Sequence, residues 1–157
     1  MKNFIILLIL LIQIIPNSFS ELEKSFIIDL IGKYEKHYDQ LAKFSSSTSE
    51  TFKSQEDIVA SFEKIVNETE PGEQRQLAAI LYSDLMYFFS ENKMVNNPKG
   101  EDEAMEVYRK RTREQRNGDM EKTVSVLDQA FKPELINPDS FLTYKYHLYS
   151  VRAWHIY

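Results

Sequence analysis

Residues 140–157 read SFLTYKYHLYSVRAWHIY, and they admit two periodicities. Leu142, Tyr146, Tyr149, Ala153 and Ile156 form one helical stripe; Phe141, Tyr144, Leu148, Val151 and His155 form a second. Tyr144, Tyr146, Leu148 and Trp154 also alternate as a strand would, and aromatic side chains suit strands. Length separates the two readings. Eighteen residues without glycine, proline or asparagine is long for a strand, whose usual length is about 5–6 residues. Asn137-Pro138-Asp139 just upstream supplies a helix start: a capping asparagine, a proline in the first turn and an acid at the positive end of the dipole. We read the stretch as a helix apolar on two sides, which predicts a central place in a bundle. The chain is then all-α, an irregular bundle of five to six helices. Read as strands, the same residues would give the alternative, an α+β cone with C-terminal strands.

The upstream pattern favours the bundle. Leu22, Phe26, Leu30, Tyr34, Tyr38 and Leu41 recur at steps of four, four, four, four and three, widened by Ile27 and Ile31, which predicts an amphipathic helix over 21–44. Ser45–Lys53 reads as a polar linker, because serine and threonine offer the backbone competing hydrogen bonds. Ser54 then stands as an N-cap with Asp57 three residues on, opening a helix that carries Ile58, Phe62 and Ile65. Thr69-Glu70-Pro71-Gly72 breaks it. A third helix over Glu73–Asn92 carries Leu77, Leu81, Leu85 and Phe88 and is the most apolar of the early ones. Glu101–Arg116 is the most charged. Asn117-Gly118 reads as its stop, and Asp119 as the cap of a restart that runs to Phe131. Only four glycines occur in the chain, too few for the turns of an ordinary all-β domain.

The N-terminus has the three-part layout of a secretory signal: Lys2, the apolar run Phe4–Ile15 broken only by Gln13, then Ser18 and Ser20 at the minus-three and minus-one positions. Cleavage after Ser20 is expected. The alternative, a membrane anchor, needs about 20 apolar residues, more than this run offers. Of 157 residues, loss of the first 20 leaves 137, and loss of Lys2 moves the net charge from −5 to −6. That length fits a single helical domain over 21–157. Its acidity disfavours nucleic acid as a partner. The chain has no cysteine, so disulfide, thiol-nucleophile and zinc-thiolate chemistry are excluded, and the secreted domain holds together by packing alone.

Candidate functional residues are few. In the basic cluster Arg109–Arg116, Arg109, Arg113 and Arg116 share one helix face at i, i+4 and i+7 and could grip a sulfate, phosphate or carboxylate. Opposed to this is an ordinary solvated surface, neutralised within the helix by Glu103, Glu106 and Glu114. Asn67-Glu68-Thr69 is a glycosylation sequon beside a helix end. Asp84 projects to the edge of the third helix's apolar face. There it either pairs with a tyrosine or arginine, or works as an acid or base. His37, His147 and His155 fall in no metal-ligand spacing, so no metal and no cofactor are expected. The aromatic density of Tyr144–Tyr157 reads as core, or as the lining of an apolar ligand site.

No catalytic motif is present, and no residues place the chain in a known family. The reading is a secreted, extracellular, non-enzymatic binding protein that uses Arg109, Arg113 and Arg116 on an anionic partner. The alternative is a carrier of small apolar ligands such as lipids, which requires a cavity of about 300 Å³ or more.

Overall fold

The computed structural model describes residues 21–42 and 49–156. Met1–Ser20, on which the signal reading rests, lies outside them. The described residues form five α-helices: α1 (Glu21–Ala42), α2 (Ser49–Glu68), α3 (Glu73–Asn96), α4 (Met105–Ala130) and α5 (Phe141–Ile156), with a 3-10 turn at Pro133–Leu135. They contain no strand, so the all-α bundle is the fold and the cone is set aside. No described helix is long and apolar enough to cross a membrane.

α3 is the axis, and each of the other four helices packs on it. Every residue from Ala78 to Met86 is buried, with Ala78, Ala79, Tyr82 and Leu85 fully so. The stripes read from sequence supply the covering faces. α1 brings Ile27, Leu30, Ile31 and Tyr34, and α2 brings Ile58, Val59, Phe62 and Val66. α4 brings Val126, Leu127 and Ala130. Gly72 opens α3 with φ near 149°, a backbone conformation that side chains rarely adopt, and its carbonyl accepts the first helical bond, from Gln76 N at 3.0 Å. This makes the Pro71-Gly72 break a conformational requirement.

Four expectations are corrected. First, α2 begins at Ser49, so Ser49–Lys53 is helical and Ser54 is an interior residue rather than a cap. The first described tertiary contact of this helix follows just after Ser54: Gln55 is buried and accepts a long hydrogen bond from Asn92 on α3, at 3.4 Å. Serine costs a helix only a few tenths of a kcal/mol relative to the best formers, so its capping preference is a weak stop signal. Second, Asn117-Gly118 does not stop a helix; α4 runs through it, starting at Met105 rather than Glu101. A mid-helix glycine costs about 1 kcal/mol. Against that, Asp119 is held by Lys93 at 2.8 Å, and Met120, Thr123, Val126, Leu127 and Ala130 are buried immediately beyond.

Third, the cap of α5 is Ser140, whose Oγ accepts from Leu142 N at 3.2 Å. Asn137 instead closes the preceding turn, its Oδ1 accepting from Asp139 N at 3.1 Å. Fourth, α5 is helical as read but is not central. It rests on α3 and α4 alone. Tyr149 and Ala153 of its first stripe are buried, whereas Tyr144, Leu148 and Val151 of its second are 62%, 46% and 53% exposed.

Candidate functional site

The buried residues of α4 begin only at Met120; its first half stands outside the core. This half is segregated by charge. Acids crowd 101–106, where they favour a helix N-terminus, and five of the eight residues over 109–116 are basic. Arg111 reaches back to Glu103, donating from Nε to Oε1 and from Nη2 to Oε2, both at 3.0 Å, a bidentate pair that fixes the guanidinium plane. Arg111 also lies 5.3 Å from the Tyr108 ring centroid. The Arg111 hydrogen bonds hold Glu103 below the ordinary carboxylate range, helped by Gly100 N donating to its Oε2 at 3.2 Å.

Arg116 is drawn the other way, onto Glu91 of α3. Beside it Lys93 pairs with Asp119, and further along Lys122 pairs with Glu63 of α2 at 2.7 Å. These three cross-helix pairs fasten α4 to its neighbours. Lys110 lies 3.9 Å from Glu114, both mostly exposed, and such a pair contributes little. Arg109 and Arg113 are exposed one turn apart and form no ion pair with a described residue. The three-arginine row is thus divided, with two members outside any ion pair among the described residues and the third engaged.

Asp84 is not at the edge of an apolar face. It is 8% exposed, because α1 and α5 close over it from either side. Tyr34 of α1 donates to its Oδ2 at 2.6 Å and Tyr149 of α5 donates to its Oδ1 at 2.9 Å. Burial, then the charge and hydrogen bond of Asp84, push the Tyr34 hydroxyl far above the ordinary tyrosine value. Tyr34 therefore stays a donor, and Asp84 joins three helices through two hydroxyls. The partners sit 50 and 65 residues away in sequence. The sequence signal for them was only that Tyr34 and Tyr149 belong to apolar stripes.

A groove of about 510 Å³ opens between α4 and α5. Met120, Val124 and Ala153 give it apolar lining, and Ser125, Asp128 and Lys132 polar lining. Beside Asp128, the Tyr146 ring stacks on Phe131 with centroids 4.6 Å apart, and its hydroxyl donates to Asp128 at 2.9 Å. Burial and that bond raise its pKa. Sequence reading missed this groove, since its residues come from helices packed only in the fold. Asn67 is exposed in the last turn of α2, and the Thr69 hydroxyl of its sequon donates to Ile65 O at 2.6 Å. His37 is half-buried and His147 exposed. No group of three or more histidine, aspartate or glutamate side chains able to hold a metal occurs among the described residues.

No protein-family model, curated protein or solved structure matches the chain, so its own residues carry the functional reading.

Proposed function

We propose that the chain is secreted after loss of Met1–Ser20 and works as a non-enzymatic extracellular binding protein, engaging an anionic partner through the first half of α4. One observation carries this reading: Glu103 and Glu91 occupy Arg111 and Arg116, while Arg109 and Arg113 stand exposed on the same helix with no ion pair among the described residues. A guanidinium without a carboxylate of its own keeps its full fork of donors for a sulfate, phosphate or carboxylate. Arg116 borders this pair from its position on Glu91. Asn67, exposed at the far end of α2, is the proposed glycan acceptor.

The test is retention on a sulfated polysaccharide such as heparin, across a salt series. Arg109→Ala combined with Arg113→Ala is expected to lose retention by about tenfold, since each charge-assisted hydrogen bond contributes about 1.5–3 kcal/mol before screening. Arg116→Ala is expected to change retention less. Unchanged retention of the double variant defeats the reading.

The groove between α4 and α5 supports a second reading, carriage of a small apolar ligand, because its volume exceeds about 300 Å³. Native mass spectrometry of the purified protein tests it; a lipid adduct lost on Val124→Trp supports it.

A further inference from the structure

The second stripe of α5 is a solvent-facing apolar row. Tyr144, Leu148 and Val151 lie at i, i+4 and i+7 and are 62%, 46% and 53% exposed. They adjoin one another on a single helix face. No described helix covers them, since α5 packs only on α3 and α4 from the opposite side. Phe141 extends the row toward the N-terminus, with the Lys145 ammonium 5.3 Å from its ring centroid. Exposed His147 borders the row on its other flank.

Charge indicates what covers this face. The chain is acidic, with 24 Asp and Glu against 19 Lys and Arg, yet its last acid is Asp139. α5 is the only described helix with no acidic residue, and it carries Lys145 and Arg152. A second copy meeting this face by a two-fold axis would set like charges against like. A surface that is both apolar and anionic complements it. We infer that the Tyr144–Leu148–Val151 face of α5 docks on an anionic lipid surface. α5 lies in the interface plane, its apolar row enters the acyl boundary, and Lys145, beside Phe141 at the end of the row, meets the headgroups. Docking of this kind differs from spanning, for which no described helix is suited. The inference does not rest on the arginine face of α4.

The chain has one tryptophan, Trp154, and it belongs to α5, so its fluorescence reports on this helix. The experiment uses the full chain with vesicles of phosphatidylcholine, with and without phosphatidylserine, the phosphatidylcholine being brominated. The expected result is quenching of Trp154 that requires phosphatidylserine. Vesicle binding should weaken by about tenfold or more in Leu148→Glu, the effect of losing one buried leucine. Tyr144→Glu should act alike, and an unchanged far-ultraviolet circular dichroism spectrum should show both variants folded, since both positions are exposed. Absence of quenching overturns the inference, as does equal quenching on neutral vesicles or in both variants. Vesicle binding lost in Arg109→Ala/Arg113→Ala but kept in Leu148→Glu would overturn it while supporting the arginine face. A concentration-dependent dimer dissolved by Leu148→Glu, without vesicle binding, would assign the row to a second copy.

Discussion

α3 and α5 are alike in sequence and opposite in situation. Both carry apolar residues around most of their circumference. α3 is enclosed by four helices, and Ala78 to Met86 are all buried; α5 has two neighbours and leaves Tyr144, Leu148 and Val151 in solvent. An apolar stripe shows that a helix has a face suited to burial. Whether the chain supplies a partner for that face depends on topology. Among the described helices α3 has two before it and two after it, and all four pack on it. α5 packs on α3 and α4 alone. The two helices are nevertheless tied at one polar point, Asp84 to Tyr149.

The widest separation between the two helices is expected from leucine truncation. Leu85 of α3 is fully buried, and Leu85→Ala should cost about 2–5 kcal/mol as a cavity opens against α1, α2 or α4 neighbours. Leu148→Ala on α5 should stay within about 0.5 kcal/mol. Urea denaturation of both variants measures the gap, and comparable losses would mean that α5 is enclosed in solution.

A smaller effect separates two buried tyrosines. Tyr149→Phe removes one of the donors to Asp84 and should cost about 1–3 kcal/mol, because a hydrogen bond to a buried carboxylate is lost. Hydrogen exchange of α5 amides should accelerate with it, since the polar tie to α3 is cut. Tyr82→Phe on α3 should be near neutral: its hydroxyl is buried without a hydrogen-bond partner among the described residues, so the change leaves nothing newly unpaired. If the two variants lose stability equally, the Asp84 tie is not what anchors α5.

The smallest effect appears at alkaline pH. Tyr34 and Tyr82 both have pKa values raised by burial first, then by Asp84 for Tyr34 and by Glu63 and Asp119 for Tyr82. Below about pH 10, the ordinary tyrosine value, folded and unfolded chains both keep these protons and no stability is lost. Above it the unfolded chain ionises while the folded one does not, so stability falls as pH rises. Denaturation midpoints across that range should fall less steeply in Tyr34→Phe. An unchanged slope would show that Tyr34 reaches water in the folded protein.

Much of the fold was legible because helix periodicity is a local property. The stripes of α1, α2 and α3 mark the residues that became core, and Ser140–Ile156 reads as helix on length alone. Boundaries were less legible where a cap or glycine signal competed with a distant contact. Ser54 and Asn117-Gly118 are good punctuation locally, but serine is a weak stop inside a helix, and beyond Gly118 Asp119 meets Lys93 across the bundle and carries α4 through. The arginine cluster was visible as composition. Its division into engaged Arg111 and Arg116, and Arg109 and Arg113 outside any ion pair among the described residues, depends on Glu103 and Glu91, and Glu91 lies on another helix.

The sequence by itself determined that Ser140–Tyr157 is long and unbroken for a strand, and that five to six helical segments without cysteine must be held by packing. Tertiary structure alone decided which of the two stripes on α5 is buried. Each stripe is apolar, and the helix could turn either one inward. Asp84 on α3 and Asp128 on α4 accept the hydroxyls of Tyr149 and Tyr146, which lie on the first stripe only. Those two bonds, closed across 65 and 18 residues, favour the rotation of α5 that leaves Tyr144, Leu148 and Val151 facing out, because a rotated helix would bury the Asp84 carboxylate with one donor fewer and lose the Tyr146 bond to exposed Asp128.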